Sequence, residues 1–163
     1  MVVRRAFLFG LAASLGIPAL GAASARADET ILTLRDEKGT RIAAQTLAEM
    51  DALPQQSFRT TTPWHKGVVE FSGVTLKAYL DAAKVSPEKI RFVALNDYVV
   101  DADVASLIRG GALLATRQNG VPLPVSDKGP VFVIFNFDAN PELHHQFYLS
   151  RAVWQLAEID ISQ

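Results

Sequence analysis

Thr60-Thr61-Thr62-Pro63-Trp64-His65-Lys66-Gly67 sets a tryptophan between three hydroxyl side chains and a glycine. Residues 55–61 read as a strand feeding Trp64, and residues 68–71 as another short extended run. So placed, Trp64 reads either as a flat face on which a ring can stack or as a core tryptophan near the strand that carries Phe71. Phe71-Ser72-Gly73-Val74-Thr75-Leu76 follows, and Thr75 is expected to start a helix in which Leu76, Tyr79, Leu80 and Ala83 share one face.

Toward the N-terminus, residues 30–34 alternate apolar and polar side chains. Asp36-Glu37-Lys38-Gly39 offers a turn, and residues 40–43 a returning strand. Thr46-Leu47-Ala48-Glu49 has the capping-box spacing for a short helix to about Leu53, ended by Pro54. Toward the C-terminus, residues 89–95 read as a strand that ends in the polar Asn96-Asp97-Tyr98. Asp101 or Asp103 can cap a short helix closed by Gly110 and Gly111. Residues 112–116 with Asn119-Gly120 suggest a strand and hairpin. Residues 131–137 form the most apolar run and read as a central strand. A short helix over 140–146 and strands over 150–156 and 158–161 complete an α+β fold of short strands and a few short helices.

Residues 1–27 carry Arg4, Arg5 and Arg26 but no acid, and run through an apolar stretch into Ala25-Arg26-Ala27. This reads as a cleavable export signal cut before Asp28, with Arg4-Arg5 resembling a twin-arginine signal despite Val3. Glycines and Pro18 make a retained membrane anchor the weaker reading. Removing three arginines from the 16 basic residues leaves 13 against 17 acidic ones, a formal charge of −4. That balance excludes a nucleic-acid footprint. Residues 28–163 suit one domain with one core, and a periplasmic location agrees with a chain that avoids disulfide chemistry.

The order of Thr60–Gly67, Gly73-Val74-Thr75-Leu76, Asn96-Asp97-Tyr98, Asn119-Gly120, Asp127-Lys128-Gly129-Pro130 and Ser150-Arg151-Ala152-Val153-Trp154-Gln155-Leu156 resembles the sulfite-oxidase-like molybdopterin-binding fold. In the enzymes of that fold a cysteine thiolate holds molybdenum from a segment corresponding roughly to residues 59–62. This chain has no cysteine, and threonine cannot replace so soft a ligand. The resemblance is greatest to small exported members that lack the cysteine, some of them periplasmic pterin-binding regulators of membrane cyclic-di-GMP synthase/phosphodiesterases. It implies a non-catalytic module that binds a pterin, in a reduced form, without molybdenum, and docks on the periplasmic domain of such a membrane enzyme. The alternative it leaves is a molybdopterin-dependent oxidoreductase of the sulfite oxidase type, and a third is an adaptor with no small ligand.

A pterin needs a flat face, a carboxylate for its ring N–H and amine, and a donor for its carbonyl. The resemblance puts Thr62, Trp64, Asn96, Asp97, Tyr98, Phe137, Tyr148 and Arg151 at that site. Asp97 can accept paired hydrogen bonds or bond its own turn. Asn96 can supply donor and acceptor or shape that turn, and Tyr98 can stack, donate, or sit half-buried in a strand. Arg151 can hold a ligand oxygen or pair with Glu142 or Asp138. Trp154 reads as core rather than platform. Phe137 and Tyr148 flank a stretch where the family often carries aromatic-proline-aromatic-aspartate, and here Asn136 takes the proline position. His65, His144 and His145 lack zinc-ligand spacing, no serine lies in a G-x-S-x-G context, and no phosphate-binding glycine loop occurs.

Overall fold

The computed structural model describes residues 29–162, so the export-signal reading falls outside the described residues. Two five-stranded sheets form the α+β fold. In the first, β1 (Thr30–Arg35) pairs with β2 (Arg41–Thr46) on one side and in parallel with β10 (Leu156–Ser162) on the other. Beyond β10 lie β5 (Lys89–Ala94) and β6 (Val99–Asp103). In the second sheet β3 (Gln55–Thr61), β4 (Val68–Thr75) and β7 (Leu113–Gln118) are antiparallel neighbours. The short strands β8 (Val121–Pro122) and β9 (Phe132–Ile134) share the remaining edge of β7. Gly73 sits at a register shift between β4 and β7, where a Cβ would lie 2.1 Å from the Leu114 carbonyl oxygen. That close approach of two backbones is what glycine permits.

Among the described residues there are four short helices, three directly following strands, each begun by a side chain the sequence supplies. Helix α1 (Leu47–Asp51) starts in the capping box of Thr46 and Glu49, worth about 1 kcal/mol. Helix α2 (Leu76–Ala82) is capped by Thr75 and buries Leu76, Tyr79 and Leu80. Asp103, rather than Asp101, caps α3 (Val104–Arg109). Residues 140–146 are not one helix: a 3-10 turn (Pro141–His144) ends at His145, which then caps α4 (Gln146–Leu149).

Two apolar stretches do not become the strands that their composition suggests. Only Phe132–Ile134 of the run 131–137 enters a ladder, and it lies at the edge of its sheet rather than the centre. Val131 through Phe135 are all buried, so the run is apolar because it fills the space between sheets. Residues 150–155 are not a strand: Ser150 closes α4, Ala152 and Val153 are buried in succession, and Gln155 takes φ +55°. The segment is instead pinned beside β9 by Val133 N–H to the Val153 carbonyl and Leu156 N–H to the Val131 carbonyl, each 2.9 Å. Leu32, Phe71, Phe92, Phe132 and Ile159, from both sheets, are fully buried in one continuous core.

Candidate functional site

Where β3 ends, the Thr62 hydroxyl accepts a hydrogen bond from the Trp64 N–H at 3.2 Å and pairs with His65 Nδ1 at 2.7 Å. This side-chain turn fixes the path of residues 62–65 and so the placement of Trp64. The indole meets Phe132, Phe137 and Trp154 edge-on, with centroids 6.0, 6.2 and 5.8 Å away. Such tilted contacts suit aromatic quadrupoles and hold the half-buried ring rigid. What remains of its surface lines a cleft of about 340 Å³. Pro63 and Trp64 make one wall, while Gln146 and Leu149 of α4 with Val153 and Trp154 contribute the other. Tyr98 stands at the rim and its hydroxyl donates to the Ser150 carbonyl at 2.8 Å, joining the β5–β6 hairpin to the end of α4.

Of the residues expected at a pterin site, Trp64 and Tyr98 line this cleft, and Thr62 lies behind Trp64 as its support. Asn96 and Asp97 are in the exposed hairpin turn and not in the cleft wall. The Asn96 side-chain oxygen accepts from the Tyr98 N–H, and Asp97 occupies the left-handed region at φ +64°. Phe137 is fully buried beneath Trp64. Tyr148 packs against Phe135 and Gly110, where a Cβ on residue 110 would come within 2.5 Å of its ring.

Arg151 pairs with neither Glu142 nor Asp138. Its guanidinium donates to the carbonyls of Phe147 and Asp101 at 3.0 and 3.3 Å and to the Ser150 hydroxyl at 3.2 Å. It also lies 3.9 Å above the Phe147 ring, a cation–π contact. Main-chain carbonyls and the Ser150 hydroxyl thus engage both terminal nitrogens of the fork, while its buried Nε has no hydrogen-bond partner among the described residues.

Asp138, beyond the predicted site, takes over the end of β3. Its carboxylate accepts from the Thr61 N–H and hydroxyl, both at 2.6 Å, and its own N–H donates to the Thr60 hydroxyl at 3.1 Å. The Thr61 hydrogen bonds hold the Asp138 carboxyl below the usual carboxylate range. Burial, helped by the charge of Lys128, holds the His65 imidazole below the usual histidine range.

Sequence reasoning did not put Gln146, Leu149, Ser150 or Val153 in a site. Trp154 carried a signal, being the second of two tryptophans, but read as core. The others are ordinary helix and loop residues, brought to Trp64 only by the tertiary path of residues 141–154.

Residues 35–136 match the family described as the oxidoreductase molybdopterin binding domain, well over half of the chain. The chain belongs to this family. Its domain is the molybdopterin-binding type found in sulfite oxidase. No curated protein matches the chain in sequence. The family match includes Pro63, Trp64 and Tyr98 and ends at Asn136, before Gln146 to Trp154.

The family's molybdenum cofactor finds no soft donor among these residues. The chain contains no cysteine, and the hydroxyls of Thr60, Thr61 and Thr62 are engaged with Thr61, Asp138 and His65. The residues present therefore do not fit a thiolate-held metal. They do fit a flat ring: two indoles, a phenol and an aliphatic floor supply the stacking surface, with a side-chain amide at the edge.

Proposed function

We propose that this protein is a non-catalytic pterin-binding module, exported to the periplasm, that regulates a membrane-bound cyclic-di-GMP synthase/phosphodiesterase through that enzyme's periplasmic region. One observation carries the pterin part of the reading. A molybdopterin-family domain keeps an aromatic cleft at Trp64 while its β3 end offers threonine hydroxyls, already committed, in place of a thiolate. Ring binding survives such a change, whereas metal redox chemistry does not. Regulation further requires that the ligand favour one surface state of the module over another. Tyr98 supports that requirement, because it lines the cleft and is also 43% exposed beside Leu95 and Val99, which are 53% and 47% exposed.

Protein purified from the periplasm of its own host is expected to begin at Asp28 and to release a reduced pterin on denaturation, both read by mass spectrometry. Copurification of the membrane enzyme's periplasmic domain is expected to depend on that pterin. The family match favours a second reading, a molybdopterin-dependent oxidoreductase. Stoichiometric molybdenum in the native protein would establish that second reading and sink the first. Absence of any extractable or titratable pterin, with normal signalling by Trp64→Ala protein, would leave only an adaptor.

A further inference from the structure

Resting on the pterin-binding reading, we infer that the cleft selects an uncharged ring with a lactam edge and no phosphate, and that Gln146 is the residue that reads this edge. Five side chains of the wall carry polar groups: the hydroxyls of Tyr98 and Ser150 are already occupied, the indoles of Trp64 and Trp154 offer only N–H donors, and Gln146 alone presents both a donor and an acceptor. The Tyr98 hydroxyl donates to the Ser150 carbonyl, and the Ser150 hydroxyl donates to the Phe147 carbonyl at 3.1 Å while accepting from Arg151. Gln146 lines the same cleft, is exposed, and its side-chain amide has no hydrogen-bond partner among the described residues. A primary amide presents an acceptor oxygen and a donor nitrogen side by side. That pair complements the adjacent N–H and C=O of a lactam, such as those on the pyrimidinone ring of a pterin. A carboxylate offers only acceptors and would favour a different edge. Asp97, the sequence's candidate for that role, is not in the wall.

Charge narrows the ligand further. Among the described residues, no lysine, arginine or histidine lines the cleft. Arg151, next in sequence to a lining residue, is not in the wall; its two terminal nitrogens bond the chain itself, and its Nε is buried without a hydrogen-bond partner among the described residues. The hairpin at the rim carries Asp97, Asp101 and Asp103 against Lys89 and Arg91, with Asp101 paired to Arg91, and residues 28–163 bear a formal charge of −4. A phosphate ester of nearly two negative charges would lose hydration against this wall without gaining a cationic partner. Its approach would also be opposed by the field of the chain. An unphosphorylated pterin meets neither cost.

Isothermal titration calorimetry of the mature protein with neopterin, neopterin monophosphate and N3-methylated neopterin, each in the reduced 7,8-dihydro form, tests both parts. Neopterin is expected to bind about tenfold or more tightly than its phosphate. It is also expected to bind about tenfold more tightly than the N3-methyl compound, which has lost the lactam donor. Gln146→Leu is expected to keep the thermal midpoint, to lose about tenfold in neopterin affinity, and to bind the methylated and unmethylated rings equally. A phosphate ester that binds as tightly as neopterin overturns the charge selection while the pterin-binding reading stands. Undiminished preference for the unmethylated ring in Gln146→Leu overturns the role of Gln146. No binding of any of the three by folded protein defeats the pterin-binding reading itself, and this inference with it.

Discussion

The two walls of the cleft are built on different terms. Pro63 and Trp64 hang from a strand end in which every threonine hydroxyl is hydrogen-bonded and the indole is held edge-on by three rings. The facing residues belong to a four-residue helix and the irregular chain that follows it, tied to the hairpin by Tyr98 and Arg151. The first wall lies within the family match and the second beyond it. In the proposed pterin site, the rigid wall would supply a general ring-stacking surface, while the choice of ring would rest with a segment whose position depends on a few long-range contacts.

The largest expected effect tests the rigid wall. Trp64→Ala removes a half-buried indole from contact with Phe132, Phe137 and Trp154 and is expected to cost about 3 kcal/mol in urea unfolding. It should also abolish detectable pterin binding, whereas Trp64→Phe should restore most of the stability. Trp154→Ala has one aromatic neighbour to lose and is expected to weaken binding with a smaller stability loss. Equal stability losses in the two alanine variants would erase the distinction between the walls.

Gly110→Ala addresses the second wall from behind. The added methyl would collide with the Tyr148 ring, an overpacking worth about 2 kcal/mol. Because Tyr148 belongs to α4, the displacement should reach Gln146 and Leu149 and lower pterin affinity in calorimetry. A destabilised variant with unchanged affinity would show that α4 is not part of the site.

Asp138→Asn sharpens the account of the strand end through its pH dependence. The folded carboxyl is held below its ordinary value, so its contribution is present above the unfolded value of about 3.9 and lost as pH falls through the folded one. The variant should therefore melt at a lower temperature than the parent at pH 7, and the gap should close below about pH 4. A smaller effect of the same direction, nearer neutral pH, belongs to His65. Its folded value is depressed, so the folded state resists protonation and stability drops as pH falls below about 6.5. His65→Gln should flatten that part of the melting profile.

Local signals made much of this architecture legible. The Thr46–Glu49 capping box, the strand Gln55–Thr61 and the helix begun by Thr75 all follow from side chains within a few residues of one another. The family, too, was legible in a spaced set of short motifs. Strand β6 was not: Val99–Asp103 is short, carries two aspartates and sits at a sheet edge, where charge guards against pairing with another chain. Residues 131–137 misled because complete burial and central strand position give the same apolar composition. At the site, Trp64 and Tyr98 stood out as aromatics. Gln146 did not, since it is brought to the cleft by the tertiary path of residues 141–154, which no local pattern encodes.

The strand at the middle of the first sheet, β10, comes after every other strand in sequence, and it lies between β1 and β5. A ribosome therefore finishes β1–β2 and β5–β6 as two separate ribbons before the piece that unites them exists. Two-stranded ribbons are marginal alone, so this half of the molecule waits for the seven residues of β10. A nascent chain stopped just short of β10 would expose the flanks of both ribbons, an aggregation hazard. Assembly here is governed by the order of synthesis as well as by the contacts of the finished fold.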